Sequence, residues 1–110
     1  MMDDEFFLIT CIMPAGRGRE ALNRLRQQWR IIDVAFHHAR GTGTRRSRRG
    51  RLLYEERDVA QALVHGADAD AVFEFLYHNA GLTDPHAGMV FMTAAGRAHP
   101  MQTPAGFVEY

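Results

Sequence analysis

The run FFLITCIM at residues 6–13 decides the fold of this chain. Apart from Thr10 the run is apolar, and no regular polar alternation passes through it. A strand of this composition has to be covered on both of its faces. Pro14, Ala15 and Gly16 follow and end the strand, because proline and glycine interrupt regular structure. The cover has to come from helices of the same chain and, where these do not suffice, from other copies.

Two segments have the apolar spacing of helices that could provide this cover. Residues 17–29 form the first, and their apolar positions are Leu22, Leu25 and Trp29. The arginines of this segment fall on the other side and predict a solvated face. The second helix follows Asp68 or Asp70, either of which can cap it. Its apolar positions are Val72, Phe73, Leu76, Tyr77 and Ala80, and Gly81 suits the left-handed position after its end.

Three further segments are predicted to be strands, namely residues 31–39, 57–65 and 88–93. The resulting order, β-α-β-β-α-β, is the ferredoxin-like split βαβ arrangement. We therefore predict an α+β sandwich that forms a single domain over residues 1–110, with a core at about 6–93 and a tail at 94–110. Both helices cover one face of such a sheet, while apolar residues also point to the other face. A closed symmetric oligomer is therefore predicted to bury that second face.

The segment GTGTRRSRRGR at residues 41–51 separates the second and third predicted strands. It has no periodicity, few apolar groups and dense positive charge, which predict an exposed, mobile loop. Three interpretations stay open: a loop that docks on a partner, a solubilising disordered loop, and a nucleic-acid contact. The whole chain has 13 basic and 13 acidic residues, so it lacks the positive surplus of a general nucleic-acid binder. Contact with a membrane is expected only through a partner.

No catalytic constellation is legible in the sequence, so no enzymatic activity is predicted. Cys11 is the only cysteine, which excludes an intrachain disulfide, and a small core residue is favoured over a nucleophile. His37 and His38 are adjacent in a strand and point to opposite faces, so they cannot chelate one metal together. Asp58 and Asp84 are isolated from other candidate catalytic residues in the sequence, and helix capping or turn formation is sufficient to explain them. Residues 6–13 are too short to span a membrane and follow acidic residues, so a cytoplasmic protein is expected.

Four stretches together resemble the nitrogen-regulatory P-II-like signalling proteins. LITCIMP at residues 8–14 is similar to the first strand of that family, which ends in proline. VAFHHARGTGTR at residues 34–45 resembles its second strand with the Arg-Gly-x-Gly-Arg-Gln ending, and the arginine-rich segment follows where the family has its T-loop. AGMVFM at residues 87–92 resembles its Asp-Gly-Lys-Ile-Phe-Val strand. The likeness covers residues 6 to about 104.

The resemblance implies a homotrimer that binds an adenine nucleotide (AMP, ADP or ATP) in clefts between subunits. Family members often bind 2-oxoglutarate as well, and some relatives respond to bicarbonate. The T-loop of such proteins changes conformation and regulates a transporter or a metabolic enzyme. No cofactor is required for this role. Two rivals share the fold: a CutA-like trimer that handles metals or stress, and a ferredoxin-like enzyme with its site at a subunit interface.

The resemblance also assigns residues to the expected site. On one side of the cleft lie Gly41, Gly43, Thr44 and Arg45, although Gly-x-Gly by itself is equally a plain turn. On the other side lie His86, Ala87, Gly88, Met89 and Arg97. The partner-binding part of the loop comprises Arg46, Arg48, Arg49 and Arg51. Met89 stands where the family has a phosphate-binding lysine, so a ligand smaller or less charged than ATP is the alternative. No metal ligands are assigned, although a histidine site assembled between subunits stays open.

Overall fold

The computed structural model describes residues 5–31, 33–46, 52–83, 87–96 and 98–99, with the backbone alone at 41–46 and 52–55. Within these residues, four strands and two helices follow one another in the order β-α-β-β-α-β. They are β1 (Phe6–Pro14), α1 (Gly18–Trp29), β2 (Val34–Arg46), β3 (Leu52–His65), α2 (Gly66–Asn79) and β4 (Met89–Ala94). This is the element order predicted from the sequence.

The strands form one sheet in the order β2-β3-β1-β4, and every neighbouring pair is antiparallel. Strand β1 lies in the interior of the sheet, between β3 and β4. Its apolar sequence fits this place, because an interior strand has no edge facing water and here buries side chains on its helix-covered face. The strand order and the two helices confirm the predicted ferredoxin-like α+β sandwich.

The core lies between the sheet and the two helices. From β1 it contains Ile9, Cys11 and Met13, all with 0% exposure. Small residues of β3 lie opposite them in the register, where Ile9 pairs with Ala62 and Cys11 pairs with Ala60. The helices contribute Leu25, Val72 and Leu76 among others.

Cys11 behaves as the core residue that its apolar neighbours predict. The thiol is fully buried, and burial raises its pKa to about 11. A thiol with this pKa is almost entirely protonated at neutral pH, and the protonated form is a poor nucleophile.

The opposite face of the sheet also carries apolar residues, as the sequence predicts. Alternation along the strands and the strand register place Leu8, Ile12, Leu63, Met89 and Phe91 there. Met89 is 56% exposed and Phe91 is 42% exposed, although both are large and apolar. None of the helices among the described residues covers this surface, which we call the open face.

The second strand begins and ends later than the sequence predicts. Residues 31–39 were expected, but Arg30 adopts a left-handed conformation with φ of 54°, and the Ile31 N–H donates to the carbonyl of Leu25. The chain is therefore still turning out of α1 at Ile31, and β2 starts only at Val34.

The prediction of a loop over residues 41–51 is wrong for residues 41–46, which belong to β2. They continue the strand because β3 also starts earlier than expected, at Leu52 rather than residue 57. The segment LLYEE at 52–56 supplies the pairing strand, with Glu55 opposite Gly41, Tyr54 opposite Thr42 and Leu52 opposite Arg46. Backbone pairing with β3 therefore extends β2 into the segment whose basic composition predicts a loop.

The second helix begins earlier than either predicted cap. It starts at Gly66, directly after β3, and its N-cap residue is His65 without a side-chain capping bond. Asp68 and Asp70 therefore lie inside the helix. Asp68 is in the first turn, where its carboxylate interacts favourably with the positive end of the helix dipole. Gly81 has φ of 76°, which confirms the predicted left-handed position.

Candidate functional site at one end of the sheet

A buried carboxylate organises the end of the sheet where β1 stops. Asp58 of β3 lies opposite Met13 in the register and is 1% exposed, on the face that the helices cover. Its Oδ2 atom accepts hydrogen bonds from the backbone N–H groups of Gly16 and Gly18, each at 2.9 Å. Asp58 thus fixes the turn between β1 and α1 from a different strand.

These bonds replace a local helix cap. The first N–H groups of any helix lack an intrahelical acceptor. The residue before α1 is Arg17, which makes no side-chain capping bond. The Gly18 N–H belongs to the first helical residue, and Asp58 satisfies it with a charged oxygen near the positive end of the helix dipole.

The other oxygen of the same carboxylate holds a histidine. Nδ1 of His38 lies 2.7 Å from Oδ1 of Asp58, and the two residues pair directly between β2 and β3. The His38 side chain is 75% exposed while that of Asp58 is 1% exposed. One buried carboxylate therefore fixes one edge of a largely exposed imidazole. His37 lies on the other face of β2, so the prediction that the two histidines diverge is confirmed.

Asp58 is ionised at neutral pH. Burial by itself raises the pKa of this carboxyl, but hydrogen bonds from Gly18, His38 and Gly16 outweigh it and hold the pKa below its usual value. A carboxylate can only accept hydrogen bonds, so the Nδ1 atom of His38 has to be the donor. The neutral imidazole consequently carries its proton on Nδ1 and its lone pair on Nε2.

Next to this pair, Arg40 and Glu56 form a cross-strand ion pair. Nη2 of Arg40 lies 3.1 Å from Oε1 of Glu56, and both side chains are about two-thirds exposed. Ion pairs this exposed contribute little stability, about 0–1 kcal/mol. Together with His38 and Ala39 they line an open depression of about 390 Å³.

The predicted glycine side of the ligand cleft lies on the β2–β3 hairpin beyond this depression. Gly41 pairs with Glu55, and Thr42 pairs with Tyr54. The register then shifts before Arg46, so the backbone of Gly43, Thr44 and Arg45 lies in an irregular part of β2. The side chains of Thr44, Arg45 and Arg46 are outside the described residues, and so are Arg48, Arg49 and Arg51.

The other predicted side lies at the start of β4. A Cβ atom added at Gly88 would overlap the backbone oxygen of Ile12, so close packing against β1 is sufficient to explain this glycine. Ala87 is partly buried beside it, and Met89 is exposed on the open face. His86 and Arg97 fall outside the described residues.

The two predicted sides lie at the same end of the sheet but on opposite edges. Met89 shares a row across the sheet with Ile12, Val59 and His37, and Gly41 lies four residues further along β2. The row spans three strand spacings, or about 14 Å, and the four residues add about 14 Å along the strand. A single chain therefore keeps Gly41 and Met89 about 20 Å apart.

Neither a metal cluster nor a membrane span emerges from the described part of the chain. No three histidine, cysteine, aspartate or glutamate side chains there come together as metal ligands. No helix there is long and apolar enough to cross a bilayer.

No protein-family model matches this sequence, and no curated protein matches it significantly. Solved structures do match it. The GlnK–ATP complex of B. subtilis superposes with a TM-score of 0.66 at 15% identity, over 84% of each chain. Another B. subtilis GlnK structure gives a TM-score of 0.63 at 18% identity, over 84% of this chain and 87% of that one. Arabidopsis thaliana PII bound to citrate gives 0.60 at 15% identity, over 80% and 75%.

This chain has the PII/GlnK fold. Identities of this size establish the architecture, and they agree with the family likeness seen in the sequence. Of the predicted ligand residues, Gly41 and Gly43 belong to one outer strand, β2, and Met89 begins the other, β4.

Sequence reasoning missed the central group of this end of the sheet. Asp58 was interpreted as an isolated capping or turn residue, but it binds Gly16, Gly18 and His38 together. One signal was available, because Asp58 alternates with Ala60, Ala62 and Val64 within the predicted strand 57–65 and is the only charged residue of that set. A charged residue at such a position needs several partners.

Proposed function

We propose that this chain is a P-II-like regulatory protein. In this proposal a homotrimer binds a small anionic effector in clefts between subunits and regulates a transporter or a metabolic enzyme through the β2–β3 hairpin. The observation that carries the proposal is the fold shared with B. subtilis GlnK, one structure of which is an ATP complex. The citrate bound to Arabidopsis PII shows that an anion can occupy a protein of this fold.

The open face supports the trimeric part of the proposal. It exposes Met89 and Phe91 beside Leu8, Ile12 and Leu63. Large apolar side chains that lie next to one another on a surface generally mark an interface. Other copies of the same chain would bury this face in a closed, symmetric arrangement.

The separation of the two predicted sides supports a cleft between subunits. Gly41 and Met89 lie about 20 Å apart on opposite edges of one sheet. A ligand of nucleotide size does not bridge that gap within one chain while also contacting both backbones closely. A neighbouring subunit that brings its own β2 or β4 edge alongside would complete each site.

The residues at the start of β4 favour a ligand with less phosphate charge than ATP. Met89 supplies no positive charge where the family has lysine, and the resemblance assigns one arginine, Arg45, to the glycine side of the site. An arginine forms bidentate hydrogen bonds with one carboxylate or phosphate group. AMP, ADP or a dicarboxylate therefore fits this proposal better than a tightly held triphosphate.

Isothermal calorimetry tests the proposal with AMP, ADP, ATP, 2-oxoglutarate, bicarbonate and copper as separate ligands. Binding of a nucleotide or of 2-oxoglutarate is expected, and Arg45→Ala should weaken it at least tenfold through loss of a charge-assisted contact. Arg19→Ala is the matched control, because it removes one exposed arginine from α1.

Two outcomes would count against this function. If wild type and Arg45→Ala bound the effector with equal affinity, Arg45 of the hairpin would not belong to the effector site. If none of the nucleotides or anions gave a heat of binding, the proposed effector-sensing role would be contradicted.

A further inference from the structure

We propose that His38 and Glu56 form a binding site for a divalent transition-metal ion such as Zn²⁺, with Asp58 as the residue that orients His38. The site is distinct from the proposed effector cleft. It lies on the helix-covered face of the β2–β3 pair, next to the turn that leads into α1.

The tautomer of His38 is the first reason. Oδ2 of Asp58 accepts two backbone N–H bonds, and Nδ1 of His38 lies 2.7 Å from Oδ1, as expected for Nδ1 donating to it. The lone pair of the neutral imidazole is then on Nε2. The ring is 75% exposed, and the only hydrogen bond found for it among the described residues is at Nδ1. An accessible nitrogen lone pair is the form of histidine that binds metal ions.

The carboxylate behind the ring is the second reason. Histidines that bind metals usually donate their other N–H to a carboxylate or a carbonyl, which fixes the ring and raises its basicity. Asp58 does this from a rigid position, because Gly16 and Gly18 hold its other oxygen. The orienting group of a metal site is thus already in place.

Glu56 supplies a second ligand on the same face. It is the diagonal neighbour of His38 across the β2–β3 pair, at about 7 Å between Cα atoms, and both residues line the depression of about 390 Å³. Its ion pair with Arg40 is exposed and weak, so the carboxylate can exchange partners. Since the described residues provide no third ligand at this point, water or a second copy would complete the coordination.

An anion held by His38 and Arg40 is the competing interpretation. With Nδ1 donating to Asp58, the unprotonated Nε2 of a neutral His38 offers an anion no hydrogen bond. The Glu56 carboxylate also lies beside that position, and it already pairs with Arg40, the positive charge that an anion would need. Both features repel an anion and attract a cation, so the geometry favours the metal.

Calorimetric titration of the full chain with Zn²⁺ tests the site. His38→Gln is expected to weaken the binding at this site at least tenfold. His37→Gln is the matched control, because it removes the neighbouring histidine from the other face of β2, and it should leave that binding unchanged. Equal losses in the two variants, no loss in His38→Gln, or no Zn²⁺ binding by the wild type would each overturn the proposal.

The variant Arg40→Gln distinguishes a metal site from an anion site. The substitution frees Glu56 and removes a positive charge, so Zn²⁺ affinity should rise by several-fold. An anion site would respond in the opposite direction, and a weaker Zn²⁺ affinity in this variant would contradict the metal proposal.

Asp58→Asn tests the orienting role by nuclear magnetic resonance of the His38 ring nitrogens. The amide of asparagine donates to Nδ1 and thereby favours the tautomer with the proton on Nε2. Nε2 then has no free lone pair for a metal ion. The ring signals should report this change of tautomer, with Zn²⁺ affinity 10-fold to 100-fold weaker. A purely structural Asp58 would leave the tautomer on Nδ1–H, which would overturn its assigned role.

Discussion

Gly18 is a residue whose importance comes from a neighbour that lies far away in the sequence. A Cβ atom at this position would overlap the ring of Phe36 on β2 and approach Cβ of Asp58 at 3.0 Å. The first turn of α1 can therefore reach the buried carboxylate only because position 18 has no side chain.

Gly18→Ala is expected to destabilise the protein by about 1–3 kcal/mol, because overpacking forces neighbouring side chains out of position. Helix propensity alone predicts the opposite effect, since alanine in place of glycine raises the free energy of unfolding by up to about 1 kcal/mol. Urea denaturation of wild type and Gly18→Ala measures the difference. The double variant Gly18→Ala/Phe36→Ala should lose less than the two single variants together, and a stabilised Gly18→Ala would rule out the close contact.

Asp58 makes the stability of the protein depend on pH. Burial raises the pKa of its carboxyl, but three hydrogen bonds bring the folded pKa below that of an unfolded aspartate, which is about 3.9. The ionised form therefore stabilises the fold fully above about pH 4. That contribution is lost as the pH falls through the folded pKa.

Asp58→Asn should lower the unfolding free energy by about 1–3 kcal/mol at pH 7, since a charged acceptor is lost from buried donors. The difference from wild type should narrow as the pH falls below about 4. Urea titrations at several pH values measure it. Asp70→Asn, on an exposed position of α2, should change stability by less than about 0.5 kcal/mol, and a pH-independent Asp58→Asn deficit would contradict the ionised state of Asp58.

At the scale of elements, the β2–β3 hairpin differs from the rest of the sheet. Its outer part, at residues 41–46 and 52–56, extends beyond the pairing of β1, which ends at Pro14 opposite Arg57. Each strand there has a neighbour on one side only. Its amides should therefore open at lower free energy than those of the central strands.

Amide hydrogen exchange should resolve three levels along the chain. The slowest exchange is expected for residues 9–13 and 60–64, which lie in the two central strands. Intermediate protection is expected over residues 41–46, because they pair in a hairpin. Exchange rates typical of an unstructured chain throughout 41–46 would contradict the strand and support the loop that the arginine content predicts.

At the scale of the whole molecule, the proposed trimer depends on burial of the open face. Phe91 is 42% exposed on β4, and Tyr77 is 40% exposed on α2. The two aromatic residues are similarly exposed, but only Phe91 belongs to the open face. This contrast provides a matched pair of variants.

Light scattering of the wild type at micromolar concentration should give a mass three times that of the chain. Phe91→Glu should shift the protein to monomers, because burying an unpaired carboxylate in an apolar interface costs several kcal/mol. Tyr77→Glu should remain trimeric. A monomeric wild type, or equal dissociation of both variants, would contradict burial of the open face by other copies.

The sequence by itself determined the order of the elements and the composition of the core. The apolar run at 6–13, the helical spacing of Leu25, Val72 and Leu76, and the turn glycine Gly81 are local patterns with local physical causes. Periodicity reports which face of an element is buried, so the ferredoxin-like order and the apolar open face follow from it.

Only the tertiary structure decided the hairpin and the Asp58 site. The basic segment at 41–46 forms a strand because residues 52–55 extend β3 and pair with it, and that register is invisible in either segment alone. Asp58 meets Gly16 from 42 residues away and His38 from 20 residues away. Hydrogen bonds between distant residues depend on strand register and helix placement, and these arise from packing of the whole chain rather than from local periodicity.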